Sequence, residues 1–136
     1  RLKGFPRAWI GDGPEIPHMK RISTGRPLDP AFIREVAREY DIFVSPSIAD
    51  PNPTTILESM AWGFSAVCTP QSGYYETDYL TNIPADDADA GVKVLLQLQE
   101  EDESRLAERA RMGREAVESR YSWGIFTDTV VKELGL

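Results

Sequence analysis

The sequence predicts an α/β fold, a parallel sheet flanked by helices. Three observations point there. Short apolar runs alternate with segments of helical spacing along the chain. The runs Asp41-Ile42-Phe43-Val44-Ser45 and Ser65-Ala66-Val67-Cys68-Thr69 are nearly continuous, as strands buried on both faces are. The joints between segments are short, which favours right-handed crossovers between parallel strands.

Each element has a local cause. Arg7-Ala8-Trp9-Ile10 is a short strand stopped by the turn residues Gly11-Asp12-Gly13-Pro14. Lys20-Arg21-Ile22-Ser23 is a weaker strand, closed by Gly25. Asp29 offers an N-cap with Pro30 at the first helical position, where no N–H is needed. Phe32, Ile33, Val36, Ala37 and Tyr40 then repeat at helical spacing. After the strand at 41–45 comes a loop from Pro46 to Pro53, then a helix from Thr54 to Trp62 with Gly63 as its C-cap. The strand at 65–69 follows. Residues 74–85 show no clean period. Asp86 and Asp87 suit a cap for a helix through Val92, Leu95 and Leu96. A charged helix is expected from Glu100, with Leu106, Ala110, Gly113 and Val117 on one stripe, ending near Tyr121. Ser122 caps a last helix carrying Trp123, Phe126, Val130 and Leu134 on one face, stopped by Gly135.

Composition narrows the function. The 136 residues suit one domain, 1–136, with 41% hydrophobic content for a core. Fifteen Lys and Arg against 22 Asp and Glu give a net charge of −7, which disfavours bulk binding to nucleic acid or anionic membrane. No run approaches the roughly 18 apolar residues of a membrane span. Cys68 stands alone, so a reducing, cytoplasmic setting is the default and a buried structural thiol its expected role. His18 has no second His and no nearby Cys, so no metal site is expected and a surface loop is its natural place.

In open α/β sheets, ligands bind beyond the carboxyl ends of the strands. Gly11-Asp12-Gly13 occupies one such end, but Pro14 follows and no helix opens there, so it is no dinucleotide fingerprint. The loop from Ser45 to Thr55 occupies another. Its helix starts near Thr54, so free N–H groups and the positive dipole end face the loop. Asn52, Thr54 and Thr55 can offer amides to a phosphate, whereas Pro51 and Pro53 cannot. Glu58 leans back toward the same end and suits hydroxyl groups such as a ribose diol. The alternative is equally open: Thr54 and Thr55 simply cap the helix, and Glu58 interacts with its dipole.

The run from Asp41 to Ser47, then Asp50 and Thr54-Thr55-Ile56-Leu57-Glu58-Ser59-Met60-Ala61-Trp62-Gly63, resembles the C-terminal domain of retaining, family 4 type glycosyltransferases. Trp9-Ile10-Gly11-Asp12-Gly13-Pro14-Glu15 is similar to that family's Gly-Asp-Gly-Pro turn. Ser72-Gly73-Tyr74-Tyr75-Glu76 is similar to its Gly-Gly-x-x-Glu loop, and Tyr121-Ser122-Trp123 to the start of its last helix. The resemblance implies the Rossmann-like C-terminal half of a GT-B fold, which binds a nucleoside-diphosphate sugar as substrate and needs no other cofactor. It implies a separate N-terminal acceptor domain, so the chain reads as a fragment. It assigns Glu58 to the ribose and Asp50 to the donor sugar as the catalytic pair. The amides of Asn52, Thr54 and Thr55 are assigned to sugar and phosphate, and Ile22 and Ser23 to the neighbourhood of the base. Gly11, Asp12 and Gly13 join the donor-binding set.

Three departures stand out. Asp50 replaces the usual Glu, and Pro51-Asn52 replaces a common Gly-aromatic pair. The family's first strand, with its phosphate-binding Arg and Lys, is missing or reduced to Arg1-Leu2-Lys3-Gly4. A non-catalytic interaction module is therefore the alternative function. A sugar-nucleotide epimerase of GT-B shape would want more histidine chemistry than His18 supplies. The expected location is the cytoplasm or, for the whole protein, the inner membrane surface. Without the other domain, Trp123, Phe126 and Val130 are expected to fold back or to stand exposed and drive self-association.

Overall fold

The computed structural model describes residues 6–11, 13–23 and 29–135, with Ser23 described by its backbone alone. Arg1, Lys3 and Asp12 lie outside the described residues. The elements run β1 (Ala8–Ile10), β2 (Lys20–Ser23), α1 (Pro30–Val36), β3 (Ile42–Ser45), α2 (Thr54–Ala61), β4 (Ser65–Cys68), a 3-10 turn (Pro70–Ser72), β5 (Leu80–Asn82), α3 (Ala88–Glu100), α4 (Glu103–Arg120) and α5 (Trp123–Leu134). Every strand pairing is parallel, as the alternation requires.

The strands fall into two sheets, β1–β2 and β3–β4–β5. In the larger one β4 is central, paired from Ile42↔Ser65 to Ser45↔Cys68 on one side and from Ala66↔Leu80 to Cys68↔Asn82 on the other. All four residues of β4 are buried. Alternation of its side chains builds two cores. Ala66 and Cys68 join Ile56 and Met60 of α2, with Tyr74 and Leu80. Val67 joins Ile83 and Leu98, with Ile42, Val94 and Leu95 alongside. A third cluster of Phe32, Ile33, Val36 and Phe64 takes in Ile22 and is tied to the first through Phe43.

The caps follow the sequence closely. Asp29 accepts from the amides of Ala31 and Phe32, Asp87 from that of Ala90, and Ser122 from that of Ile125. Two boundaries differ from expectation. The helix expected to start at Glu100 starts at Glu103, because Glu100 closes α3 and Asp102 is the N-cap of α4. α1 closes at Val36, although the Tyr40 amide still donates to the Val36 carbonyl. The stretch without a clean period, 74–85, contains β5, whose three residues are too few to display a repeat.

α4 is held against the rest by two arginines and a glycine. A Cβ at Gly113 would lie 3.4 Å from Met60 Cγ, so the helix approaches α2 closely there. Arg114 Nε donates to the Ala61 carbonyl at 2.9 Å, satisfying an end group of α2. Arg109 is 6% exposed and donates to Ser65 Oγ at 3.4 Å and to Thr81 Oγ1, tying α4 to β4 and β5. α5 is the exception: it buries no residue. Trp123, Phe126 and Leu134 are 82%, 58% and 66% exposed. Of the two outcomes foreseen for this face, the structure shows the exposed one.

Two outcomes are expected from this packing. Arg109→Ala strands the buried Ser65 and Thr81 hydroxyls, so urea unfolding should show a loss of about 1–3 kcal/mol. The wild type should sediment as an oligomer at high concentration through the Trp123–Phe126–Val130 face, and Phe126→Asp should restore the monomer. A strictly monomeric wild type would exclude that surface as sticky.

Candidate functional site

The C-terminal ends of β3 and β4 lie side by side because Ser45 and Cys68 are register partners. The chain leaving β3 (46–53) and the turn leaving β4 (69–73) therefore start as neighbours. Two hydrogen bonds join them. The Thr69 hydroxyl donates to the Ser47 carbonyl, and the Asn52 amide donates to the Ser72 carbonyl at 2.8 Å. Asn52 lies in the left-handed region at φ 57, a conformation its short polar side chain tolerates.

α2 opens directly from this pair of loops. Its N-cap is Pro53, and no side chain caps the helix. Neither Thr54 nor Thr55 serves as the cap, so the capping half of the structural alternative fails, while Glu58 still lies in the first turns where a carboxylate interacts with the dipole. By contrast, Asp or Ser side chains cap α1, α3, α4 and α5. The exposed Thr54 and Thr55 thus present amides and hydroxyls at a positive helix end. Asp50 and Glu58 are exposed on either side of that end in sequence, and their carboxylates have no hydrogen bond or ion pair to the described residues. The arrangement provides donors for an anion and acceptors for hydroxyl groups.

Asn52 sits at the same place in a different role. Its amide is engaged by Ser72 rather than free for a ligand. The other residues singled out from sequence lie elsewhere. Gly11 and Gly13 follow β1 in the smaller sheet, where Arg21 donates to the Gly13 carbonyl and stacks 4.4 Å over the Trp9 ring. Ile22 packs into the α1 cluster, and Ser23 ends β2. Thr69, Ser72 and Gly73 enter the site without having been singled out for it individually. The signal available was the turn after the 65–69 strand, which a parallel neighbour must bring beside the 46–53 loop.

Cys68 lies at the floor of this region, fully buried. Burial pushes its thiol up, against the opposing contacts with Ser72 and Asn82, while the charge of Glu76 pushes it further up. A thiol held protonated is a poor nucleophile, so the structural role expected from sequence stands. His18 is exposed in the loop between β1 and β2, as expected. Among the described residues no group of His, Cys, Asp and Glu is arranged to hold a metal ion. No helix among them is long and apolar enough to cross a membrane. Two open surface clefts are lined, one by the residues just before β5 together with α4 and the other by the loop between β1 and β2. Neither includes a residue of 46–58.

Parallel strands flanked by helices, with an uncapped helix opening at the strand ends, define a Rossmann-like α/β domain. The chain belongs to the glycosyl transferases group 1 family, whose model matches residues 8–101, from β1 through the end of α3. That span contains both loops and the whole of α2. No curated protein matches the chain significantly.

The thiol gives a pH signature. Cys68 keeps its proton in the folded state where the unfolded thiol has lost its own, so folded protein binds more protons there. Stability should therefore fall as pH rises through the ordinary thiol range, and Tyr74, also raised by burial, adds to the fall at higher pH. Urea titrations at neutral and alkaline pH test this, with Cys68→Ala expected to flatten the first part of the decline. Native Cys68 should also react with a thiol reagent far more slowly than the unfolded chain.

Proposed function

We propose that this chain is the donor-binding domain of a retaining glycosyltransferase that uses a nucleoside-diphosphate sugar and transfers its hexosyl group to an acceptor. The observation that carries the reading is the uncapped N-terminus of α2, with Asp50 before it and Glu58 one turn in, inside a chain of this family. In this reading the amides and hydroxyls of Thr54 and Thr55 face the diphosphate, Glu58 accepts from the ribose diol, and Asp50 holds hydroxyls of the donor sugar. Ile22 and Ser23 are assigned to the base, and Gly11, Asp12 and Gly13 to the donor more generally, by the family resemblance alone, since the described ones lie on the smaller sheet away from α2. In this reading the donor is held without a metal, and the helix end and threonine hydroxyls are the groups that face its phosphates. Acceptor recognition falls to a separate N-terminal domain, so the domain alone is expected to transfer no sugar.

A second reading is a non-catalytic interaction module on the same fold. The exposed apolar face of α5 is the observation in its favour. Nucleotide titration followed by NMR separates the two. Shifts centred on residues 45–58 support donor binding, and silence with several nucleotides supports the module.

The two carboxylates give the sharper test. Glu58→Gln keeps size and one acceptor oxygen but loses charge. Charge-assisted hydrogen bonds are worth roughly 1.5–3 kcal/mol, so nucleoside-diphosphate affinity should fall about ten- to a hundredfold. The fold should survive, because the carboxylate's interaction with the dipole is worth only about 0.3–1 kcal/mol. Asp50→Asn should leave a bare nucleoside diphosphate almost unaffected and weaken the sugar-bearing donor. Calorimetric titration of both variants decides it, and unchanged affinity in Glu58→Gln removes the donor site from this helix.

A further inference from the structure

From the contacts between the two loops, we infer that Asn52 is a positioning residue that locks the 46–53 loop to the turn after β4, rather than a residue that touches the donor. Pro51 and Pro53 flank it and carry no N–H, so Asn52 holds the one backbone donor of this three-residue stretch. That donor goes to the Ser72 carbonyl at 2.8 Å. Asn52 lies in the left-handed region at φ 57, and Asn is among the few non-glycine residues that take this conformation readily.

The side chain closes the same junction from above. A Cβ on Gly73 would lie 2.7 Å from Asn52 Oδ1, so an alanine there would have to turn the Asn52 carboxamide out of its place. Gly73 itself sits at φ +79, a backbone conformation that suits glycine. The Thr69 hydroxyl, buried beneath, adds the second tie through the Ser47 carbonyl. The consequence is that the start of α2 and the turn leaving β4 form one piece of backbone. Their relative placement is set by Asn52 and Gly73, and any ligand held at α2 inherits that placement.

This inference rests on the donor-binding reading, and its test keeps the two apart. Calorimetry with UDP, ADP and GDP would be run on the 136-residue chain and three variants, with thermal unfolding and amide exchange measured on each. Gly73→Ala strains the left-handed turn and turns the Asn52 side chain aside, and Asn52→Pro deletes the amide and forbids the left-handed backbone. Each should weaken nucleotide binding at least tenfold and speed exchange in the loops while amides of β4 stay protected. In Asn52→Gly combined with Gly73→Ala the obstructing oxygen is gone, so affinity should recover above that of Gly73→Ala alone. This rescue is what a general loss of stability would not produce, and it remains readable if Asn52→Pro fails to fold. A wild type that binds none of the three nucleotides overturns the donor reading and this inference with it. A wild type that binds, with Gly73→Ala binding equally well or no recovery in the double variant, overturns the lock alone and leaves the donor reading standing.

Discussion

Everything else in the larger sheet depends on β4 being buried on both edges and both faces. Its ladder partners are β3 and β5, and its side chains feed two opposite cores. Small and medium residues, Ser65-Ala66-Val67-Cys68, allow α2 and α4 to come close on one face. Each fully buried side chain of this kind contributes about 1.5–3 kcal/mol for the larger aliphatics, and Val67, Ile56 and Met60 are all essentially inaccessible. A polar residue at Ala66 or Val67 would have to be hydrogen-bonded inside that packing or cost several times as much as it gains. The strand tolerates Ser65 because Arg109 reaches it.

The same strand fixes where chemistry can occur. Its carboxyl end delivers Thr69 and the turn to Gly73 next to the chain leaving β3, and α2 then points its N-terminus at the junction. The scaffold is rigid at this point and open above it: Thr69 and Ser72 are buried, whereas Asp50, Thr54, Thr55 and Glu58 are exposed. Fixed backbone beneath free polar groups suits a ligand that is held by several weak contacts at once. Such a site gains from preorganised loops, because less ordering is left for the binding step.

Much of this was legible in the sequence, for reasons tied to particular residues. Asp29-Pro30, Asp87 and Ser122 announced helix starts because a cap and its helix are neighbours in the chain. β3 and β4 were legible because a strand buried on both faces has no polar side to break its apolar run. β5 was not, since three residues are too few to show a period and two of them are polar, Thr81 satisfied by Arg109 and the Asn82 side chain by the Cys68 and Tyr74 carbonyls. Arg109 itself sits at helical spacing from Leu106, Gly113 and Ala116, on the buried stripe, yet an arginine there reads as solvent-facing until its two hydroxyl partners are known. The Asn52–Ser72 bond joins residues far apart in sequence, and nothing local to either encodes it. The separation of β1–β2 from β3–β4–β5 was equally unreadable, because strand patterns report burial and not pairing.

α5 is an α-helix of 12 residues with no buried side chain, while isolated helices shorter than about 12–15 residues are marginal in water. Among the described residues its hydrogen bonds and ring contacts are local: the Ser122 cap, the Gly135 stop and the edge-to-face pair of Trp123 with Phe126. A helix with so little buried surface draws little on the β4 core, and elements of this kind belong to the low end of the range of local opening energies. The three tryptophans sit in three different surroundings: Trp123 on α5, Trp62 beside the α1 cluster, and Trp9 in the smaller sheet under Arg21. Fluorescence summed over the chain consequently mixes the signal of the exposed helix with that of the packed clusters, and substitution of Trp123 is what separates them.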